Sequence, residues 1–183
     1  MTCANSSQDG RTSYVQRDRT MSNRNQGFTL VELVITLAIL GVVVSIAVPA
    51  VETLITQNRQ NALLKELWAA VQGARAAAIM RKEPIEICAS KDGTSCVSDW
   101  KGGWLVRSPS AQKTLNVNLL ASGNDIRWRG MGQSVRFRSN GTTLNNGSFY
   151  QCHDSKVAWQ LKLNRQGRLR KVPANEYDSG LCS

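Results

Sequence analysis

Three short segments of the chain repeat one pattern, in which an arginine, a large apolar residue and a second arginine follow one another. They are Arg127-Trp128-Arg129, Arg136-Phe137-Arg138 and Arg168-Leu169-Arg170. On a β-strand, residues i and i+2 share a face about 6.6 Å apart, so each triplet would bury its apolar residue and expose two arginines. Guanidinium groups bind phosphate bidentately. The chemistry that these residues indicate is therefore phosphate binding.

The segment around the triplets is strongly basic. Residues 123–171 carry ten basic and two acidic side chains, whereas the whole chain has 23 Lys and Arg against 13 Asp and Glu. The wet face of an ordinary half-buried sheet mixes signs, because like charges opposite each other destabilise a sheet. A face of one sign favours a polyanion as partner. The candidate site accordingly also includes Lys162, Arg165 and Lys171.

The sequence offers little for catalysis. His153 is the single histidine, and its position between Cys152 and Asp154 favours a turn residue beside a bridged cysteine. No Ser-centred glycine elbow, paired-cysteine zinc motif or glycine-rich phosphate loop is present. We therefore expect a binding and structural protein without metal or cofactor. An anchored periplasmic enzyme is the alternative against which this absence argues.

A long apolar run precedes the basic half of the chain. Residues 28–48 read FTLVELVITLAILGVVVSIAV and contain one ionisable side chain, Glu32. At about 1.5 Å per residue, this run can cross a hydrocarbon core of about 30 Å. The arginines before it predict a cytoplasmic N-terminus and an exported C-terminal part. A secretory signal peptide is the competing interpretation, but residues 47–50 match its cleavage site poorly.

Glu32 requires a partner inside a membrane. A carboxylate within a membrane helix costs about 3 kcal/mol or more when it is unpaired, and no cation lies within reach on the same helix. Cleavage between Gly27 and Phe28 would place a new α-amine four residues upstream. That ammonium group could pair with Glu32 of its own chain or of a neighbouring subunit.

Residues 27–33, GFTLVEL, resemble the type IV prepilin signature. The resemblance implies that a prepilin peptidase cuts after Gly27, that the new N-terminal Phe28 is methylated and that Glu32 steers assembly with other pilins. Pro49 matches a helix-bending proline common in that family. The leader of 27 residues is long for the family, but counted from Met21 it reads MSNRNQG, and we expect Met21 to be the natural start.

Cleavage also settles the cysteine count. Cys3 is lost with the leader, and four cysteines fit two bridges in an oxidising compartment. Among the connectivities that remain open, we favour the pairing of sequence neighbours. The expected bridges are Cys88–Cys96 and Cys152–Cys182.

The remaining pattern predicts an α+β fold. Apolar residues recur at steps of three and four between Leu64 and Ala78, which indicates an amphipathic helix that ends near Lys82, because Pro84 disfavours helix just before it. Short β-type runs then alternate with turn residues. We predict strands near 85–89, 103–107, 115–120, 125–129, 134–138, 148–152, 157–163 and 168–172.

One long helix followed by strands predicts an antiparallel β-sheet packed on the second half of the helix. The expected organisation is a removed leader at 1–27, a transmembrane helix at 28–48, an amphipathic helix at 49–82 and a β-rich head at 83–183.

Two further segments resemble the GspH/FimT family of minor pilins and pseudopilins. They are GARAAAIMRKEPIEIC at 73–88 and Gly102-Gly103-Trp104. DNA-uptake members of the FimT type carry a C-terminal Gly-Arg-x-Arg element linked to DNA binding, which residues 167–170, from Gly167 to Arg170, match. The resemblance implies a pilin-like fold and assembly with other pilins or minor pilins.

The function expected from the resemblance is that of a minor type IV pilin held in the inner membrane by a single pass, with its head in the periplasm and later at the pilus or cell surface. The head would bind double-stranded DNA for uptake in natural transformation, without sequence preference, because phosphate contacts carry no base information. The alternative is a type II secretion pseudopilin. The triplets argue against it, because a protein partner does not require a face of one sign.

Overall fold

In residues 27–121 and 125–182, which the computed structural model describes, one long α-helix precedes eight β-strands. The helix α1 is Leu30–Arg81, and the strands are β1 Ile85–Ala89, β2 Gly103–Ser108, β3 Lys113–Leu119, β4 Ile126–Gly130, β5 Ser134–Phe137, β6 Gly147–His153, β7 Lys156–Leu163 and β8 Leu169–Lys171. Short 3-10 turns occupy Trp100–Gly102 and Ala174–Glu176. Residues 1–26 of the predicted leader, with Cys3 and Met21, lie outside the described residues.

The described residues divide into two units, one that ends at Ile46 and one that begins at Ala47. The first contains the apolar start of α1, which is long and apolar enough to cross a membrane by length and composition. Thr29 begins the helix, because its Oγ1 accepts a hydrogen bond of 3.2 Å from the backbone N–H of Glu32, as an N-cap residue does. The side chains of this part of α1 are exposed, which suits a hydrocarbon environment.

The second unit contains the rest of α1 and all the strands. Its helical stripe is buried as predicted, with Leu67, Val71, Ala74 and Ala78 at most 1% exposed. The helix ends at Arg81, one residue before the predicted limit. The chain leaves the helix through Lys82, whose φ of 53° lies in the left-handed region.

The strands form two antiparallel sheets, and the expectation of a single sheet is wrong. Sheet A has the order β3-β2-β1-β5, and sheet B has the order β4-β6-β7-β8. The strand positions agree with the predicted ones to within about two residues. The division into two sheets could not be predicted from the sequence. The alternation of apolar and polar residues indicates where a strand lies and which of its faces is buried, but not which strand pairs with it.

Both sheets and the second part of α1 contribute to one hydrophobic core. Sheet A supplies Ile87 and Phe137, and sheet B supplies Phe149 and Leu161, none of which is measurably exposed. The ring of Phe149 also contacts Trp100 edge-on at 4.9 Å between centroids. The opposite faces of the sheets are therefore the ones available to solvent and partners.

A buried carboxylate on the outer side of sheet A links β1 to the neighbouring strands β2 and β5 through hydrogen bonds and ion pairs. Glu86 is 5% exposed and accepts hydrogen bonds from Arg107 at 2.8 and 2.9 Å and from Ser134 Oγ at 2.7 Å. Arg136 lies 3.5 Å from its second oxygen. Burial alone would raise the pKa of Glu86, but these hydrogen bonds and the two guanidinium charges lower it overall.

We expect Glu86→Gln to lower the free energy of unfolding by about 1–3 kcal/mol at neutral pH, because Arg107 loses its charged partner in a partly buried place. A lowered pKa contributes stability that is present above the ordinary value of 4.5 and is lost as the pH falls through the lower folded value. Urea unfolding at neutral and acidic pH, followed by tryptophan fluorescence, measures the difference. A gap between parent and variant that does not shrink on acidification would contradict the assignment.

Candidate nucleic-acid interface

Three cations lie in one cross-strand row on the outer face of sheet B. Arg129 on β4 is opposite Ser148 on β6, Ser148 is opposite Lys162 on β7, and Lys162 is opposite Arg170 on β8. Residues paired in this way share one face of the sheet. The structure therefore brings together residues from the first and third arginine triplets, although about 40 residues separate them in the chain. We call Arg129, Lys162 and Arg170 the cationic row.

A groove of about 750 Å³ opens at one end of this row, beside the turn that joins β7 to β8. Its basic lining residues are Lys162, Arg165, Arg168 and Arg170. The other residues that line it are Asn146, Gly147, Ser148, Leu163, Asn164 and Gln166. No carboxylate is among these lining residues in the described part of the chain. This space, here called the basic groove, is lined by four cationic side chains and several neutral hydrogen-bonding groups.

The β7–β8 turn fixes the positions of Arg165 and Arg168. The N–H of Arg168 donates to Asn164 Oδ1 at 2.9 Å, and the N–H of Gly167 donates to the Asn164 carbonyl at 3.0 Å. From α1, Arg75 donates to the carbonyl oxygens of Gly141 at 3.0 Å and Gln166 at 3.1 Å. The turn is thus stabilised both by hydrogen bonds within it and by hydrogen bonds from α1.

Gly167 shapes this turn. Its φ is +74°, it is buried, and a Cβ at this position would lie 2.2 Å from the carbonyl oxygen of Gly141. Only glycine fits such a close backbone approach without strain. Gly167 was predicted as a DNA-binding residue, which stays a prediction; in the structure it shapes the turn that directly precedes Arg168.

The burial pattern predicted for the triplets is confirmed for the second and third triplets and only in part for the first. Phe137 and Leu169 are buried, Trp128 is half-buried against Phe149, and the flanking arginines are exposed except Arg127, which is half-buried. Arg127 lies opposite Tyr150, on the same outer face as the cationic row.

The second triplet belongs to the other sheet. Arg136 lies on β5 of sheet A, and Arg138 directly follows that strand. Neither residue lines the basic groove, and Arg136 already pairs with Glu86. The expectation that all three triplets occupy one sheet is therefore wrong, because β5 pairs with β1 rather than with its sequence neighbour β4.

Lys171 is also separated from the row. It lies opposite Leu161 and two residues after Leu169, so it belongs to the core-facing side of β8, where it is exposed at the sheet edge. The neighbouring Arg170 points to the outer side.

Two carboxylates that sequence reasoning missed approach the cationic row. Asp178 accepts a hydrogen bond of 2.8 Å from Lys162 Nζ, and Glu176 lies 3.6 Å from Arg170. The hydrogen bonds from Lys162 and Gln160 lower the pKa of Asp178, although burial opposes them. Both acids follow residue 172 in the chain, outside the segment whose charge was counted. The predicted bridge between Cys152 and Cys182 could have indicated that the two acids lie near sheet B, because it attaches residue 182 to β6.

Both predicted bridges are present, Cys88–Cys96 and Cys152–Cys182. The first closes the loop after β1. The second attaches the end of the chain to β6, beside the carboxylates described above. In the part of the chain that the structure describes, no group of three His, Cys, Asp or Glu side chains could hold a metal ion.

Comparison with protein-family models shows to which family the chain belongs. Residues 64–167 match the family model described as type II transport protein GspH, and residues 22–48 match the prokaryotic N-terminal methylation motif. The chain belongs to the GspH family. The methylation motif and the apolar part of α1 fit anchoring of this GspH-family chain in the inner membrane.

A solved structure shows the same pilin-like fold. A crystal structure of the type IV minor pilin FimU of Pseudomonas aeruginosa superimposes with a TM-score of 0.55 at 21% identity, covering 68% of this GspH-family chain and 96% of FimU. A second crystal form of FimU gives a TM-score of 0.45 at 22% identity, with 65% and 97% covered. A comparison with curated protein sequences gave no match.

Proposed function

We propose that this GspH-family chain is a minor type IV pilin whose head binds double-stranded DNA without sequence preference, for uptake in natural transformation. The observation that carries the proposal is the basic groove, which is lined by four cations and by no carboxylate of the described chain. Phosphate contacts of this kind give weak, salt-dependent affinity, with a Kd on the order of 10⁻⁴ to 10⁻⁶ M at physiological salt.

The rest of the proposal concerns assembly. A prepilin peptidase removes the leader, the apolar part of α1 stores the protein in the inner membrane, and the head faces the periplasm until the subunit joins other pilins in a filament. The match to the N-terminal methylation motif supports this route, and the fold shared with a type IV minor pilin supports the filament. The protein acts as a binding and structural part, not as an enzyme.

The second candidate function is that of a type II secretion pseudopilin, a structural subunit near the tip of a pseudopilus. The description of the matching family, type II transport protein GspH, favours it. A subunit of that kind needs protein contacts only. Its function does not require four cations in one groove. Only the first candidate therefore predicts that the chain binds DNA.

The test is the double variant Arg168→Gln with Arg170→Gln in the full chain, held in a neutral detergent. Affinity for a short fluorescent DNA duplex should fall roughly tenfold or more at about 0.1 M salt, equally for all sequences. The slope of log affinity against log salt should flatten by about one for each lost phosphate contact. Stability should be unchanged, because both arginines are exposed.

The matched control removes the same charge from α1 with Arg59→Gln and Arg81→Gln, which are both exposed. Arg75 is unsuitable as a control, because it holds the β7–β8 turn. Equal weakening by both pairs would mean that net charge alone explains binding. Absence of DNA binding by the parent at low salt would make the pseudopilin the better assignment. In cells, the Arg168 and Arg170 changes should lower transformation while filaments still assemble.

A further inference from the structure

Residues 173–182, here called the C-terminal tail, lie across the outer face of sheet B. Tyr177 donates to the carbonyl of Ala158 at 3.3 Å, and the N–H of Asp178 donates to Gln160 Oε1 at 3.1 Å. Gln160 shares the outer face with Lys162, yet it has no measurable exposure. Contacts of this kind show that the tail covers part of the face rather than extending into solvent.

The tail is fastened at both ends. At its start, the N–H of Val172 donates to the Gln160 carbonyl at 2.9 Å, and Val172 is 1% exposed. At its end, Leu181 is buried and Cys182 is bonded to Cys152 on β6. The position of the tail is therefore set by a covalent link as well as by packing.

The tail contains two acidic and no basic residues, and both acids are directed at the cationic row. Asp178 bonds to Lys162, and Glu176 lies beside Arg170. The charge of Arg129 also acts on Asp178. Lys162 and Arg170 thus each lie beside a carboxylate of the tail.

The same cations are part of the basic groove. Lys162 and Arg170 line it together with Arg165 and Arg168. A carboxylate oxygen accepts from ammonium and guanidinium groups as a phosphate oxygen does. The tail acids and a bound phosphate chain therefore compete for Lys162 and Arg170.

Tethering makes this competition effective. One exposed ion pair contributes little by itself. A group held by a short link, however, acts at an effective concentration on the order of mM, so its contact forms again after each opening at any protein concentration. DNA must therefore displace the tail acids before it can contact the row.

We propose that the C-terminal tail is an intramolecular competitor, whose carboxylates Asp178 and Glu176 occupy phosphate-binding positions on Lys162 and Arg170 and limit the affinity of the chain for DNA. The inference rests on the proposed function. Its consequence is that, until the tail moves, only Arg165 and Arg168 of the groove cations are unpaired with a carboxylate of the described residues. After the tail moves, all four groove cations can contact phosphate.

Two variants of the full chain in neutral detergent test the proposal, with a short fluorescent DNA duplex as probe. Glu176→Gln with Asp178→Asn removes the competing charges and leaves the bridge intact. Cys152→Ser with Cys182→Ser frees the tail without changing net charge. We expect roughly tenfold tighter binding at about 0.1 M salt for the first variant and a change in the same direction for the second. The salt slope should steepen by about one for each cation released.

The matched control is Glu52→Gln with Asp154→Asn, which removes two exposed carboxylates that lie outside the row. It should tighten binding by less than about twofold, because exposed charges beyond a Debye length are screened. Equal tightening by the control, or unchanged affinity in the variant without the bridge, would overturn the competitor role.

The outcome separates this inference from the function on which it rests. If Arg168→Gln with Arg170→Gln weakens binding while the tail variants bind as the parent does, only the competitor role is wrong. If the arginine variant does not weaken binding, the groove is not the DNA site, and the competitor role is wrong with it.

Discussion

Replacing Gly27 by leucine is expected to leave the leader on the chain and to keep the protein out of filaments. Gly27 is the residue after which the prepilin signature implies cleavage, and the match to the N-terminal methylation motif includes it. In the structure, a Cβ added at Gly27 would meet no atom within 4 Å. The substitution therefore costs the fold nothing, and any loss of processing reflects recognition by the peptidase.

The physical reason to expect a cut at this position is the charge of Glu32. Within the described residues, no Lys or Arg pairs with this carboxylate, which stands in the first turn of an apolar helix. An α-amine created at Phe28 would supply the missing cation, either within the chain or between subunits.

The measurement is the intact mass of the protein purified from membranes. The parent should begin at Phe28 with one added methyl group, and Gly27→Leu should retain the residues before it. Gly41→Leu is the matched control, because Gly41 lies within α1, away from the expected cleavage point, and a Cβ there likewise meets no atom within 4 Å. A parent chain that keeps its leader, or a Gly27→Leu chain that is cut before Phe28, would show that the prepilin interpretation is wrong.

Features that depend on local sequence could be predicted well. The apolar stripe from Leu64 to Ala78 has helical spacing and is buried on one side. The strands could be located because apolar and polar residues alternate along each of them, as Leu169 and Arg170 show. The two bridges agree with the pairing of sequence neighbours, which was favoured among three possible connectivities of the four cysteines after residue 27.

Features that depend on which strands become neighbours could not be predicted. Arg136 has the same local pattern as Arg129. Its strand, however, pairs with β1, and there Arg136 forms an ion pair with Glu86. Lys171 was grouped with Arg170 by sequence proximity, but a one-residue step changes the face of a strand. Asp178 bonds to Lys162 because the C-terminal tail lies on sheet B. The spacing of residues in the sequence does not indicate that position of the tail.

The basic groove therefore contains only part of the predicted site. Its arginines come from the β7–β8 turn and from β8, and the turn itself depends on Arg75 of α1. The Gly-Arg-x-Arg element combines two different roles, since the glycine shapes backbone and the arginines carry charge. These roles can be separated by substitution.

Gly167→Val is expected to destabilise the head by roughly 3 kcal/mol or more. A β-branched residue in the left-handed region is strained by about 1–2 kcal/mol. In addition, the new Cβ would lie 2.2 Å from the Gly141 carbonyl oxygen, which is backbone and cannot rotate away. The turn would have to open and release the two bonds from Arg75. DNA affinity should fall as a consequence, because Arg165 and Arg168 lose their fixed positions.

Urea unfolding followed by tryptophan fluorescence measures the stability, and the DNA duplex measures the binding. The comparison that separates the roles is with Arg168→Gln and Arg170→Gln, which should reduce binding at unchanged stability. Gly167→Asn adds a finer step, since asparagine tolerates a positive φ but keeps the contact with Gly141. It should recover less than half of the loss if the contact is the main cost. A Gly167→Val chain as stable as the parent, but with weakened DNA binding, would instead mean that the glycine lies at the interface itself and that the backbone approach to Gly141 is not what selects it.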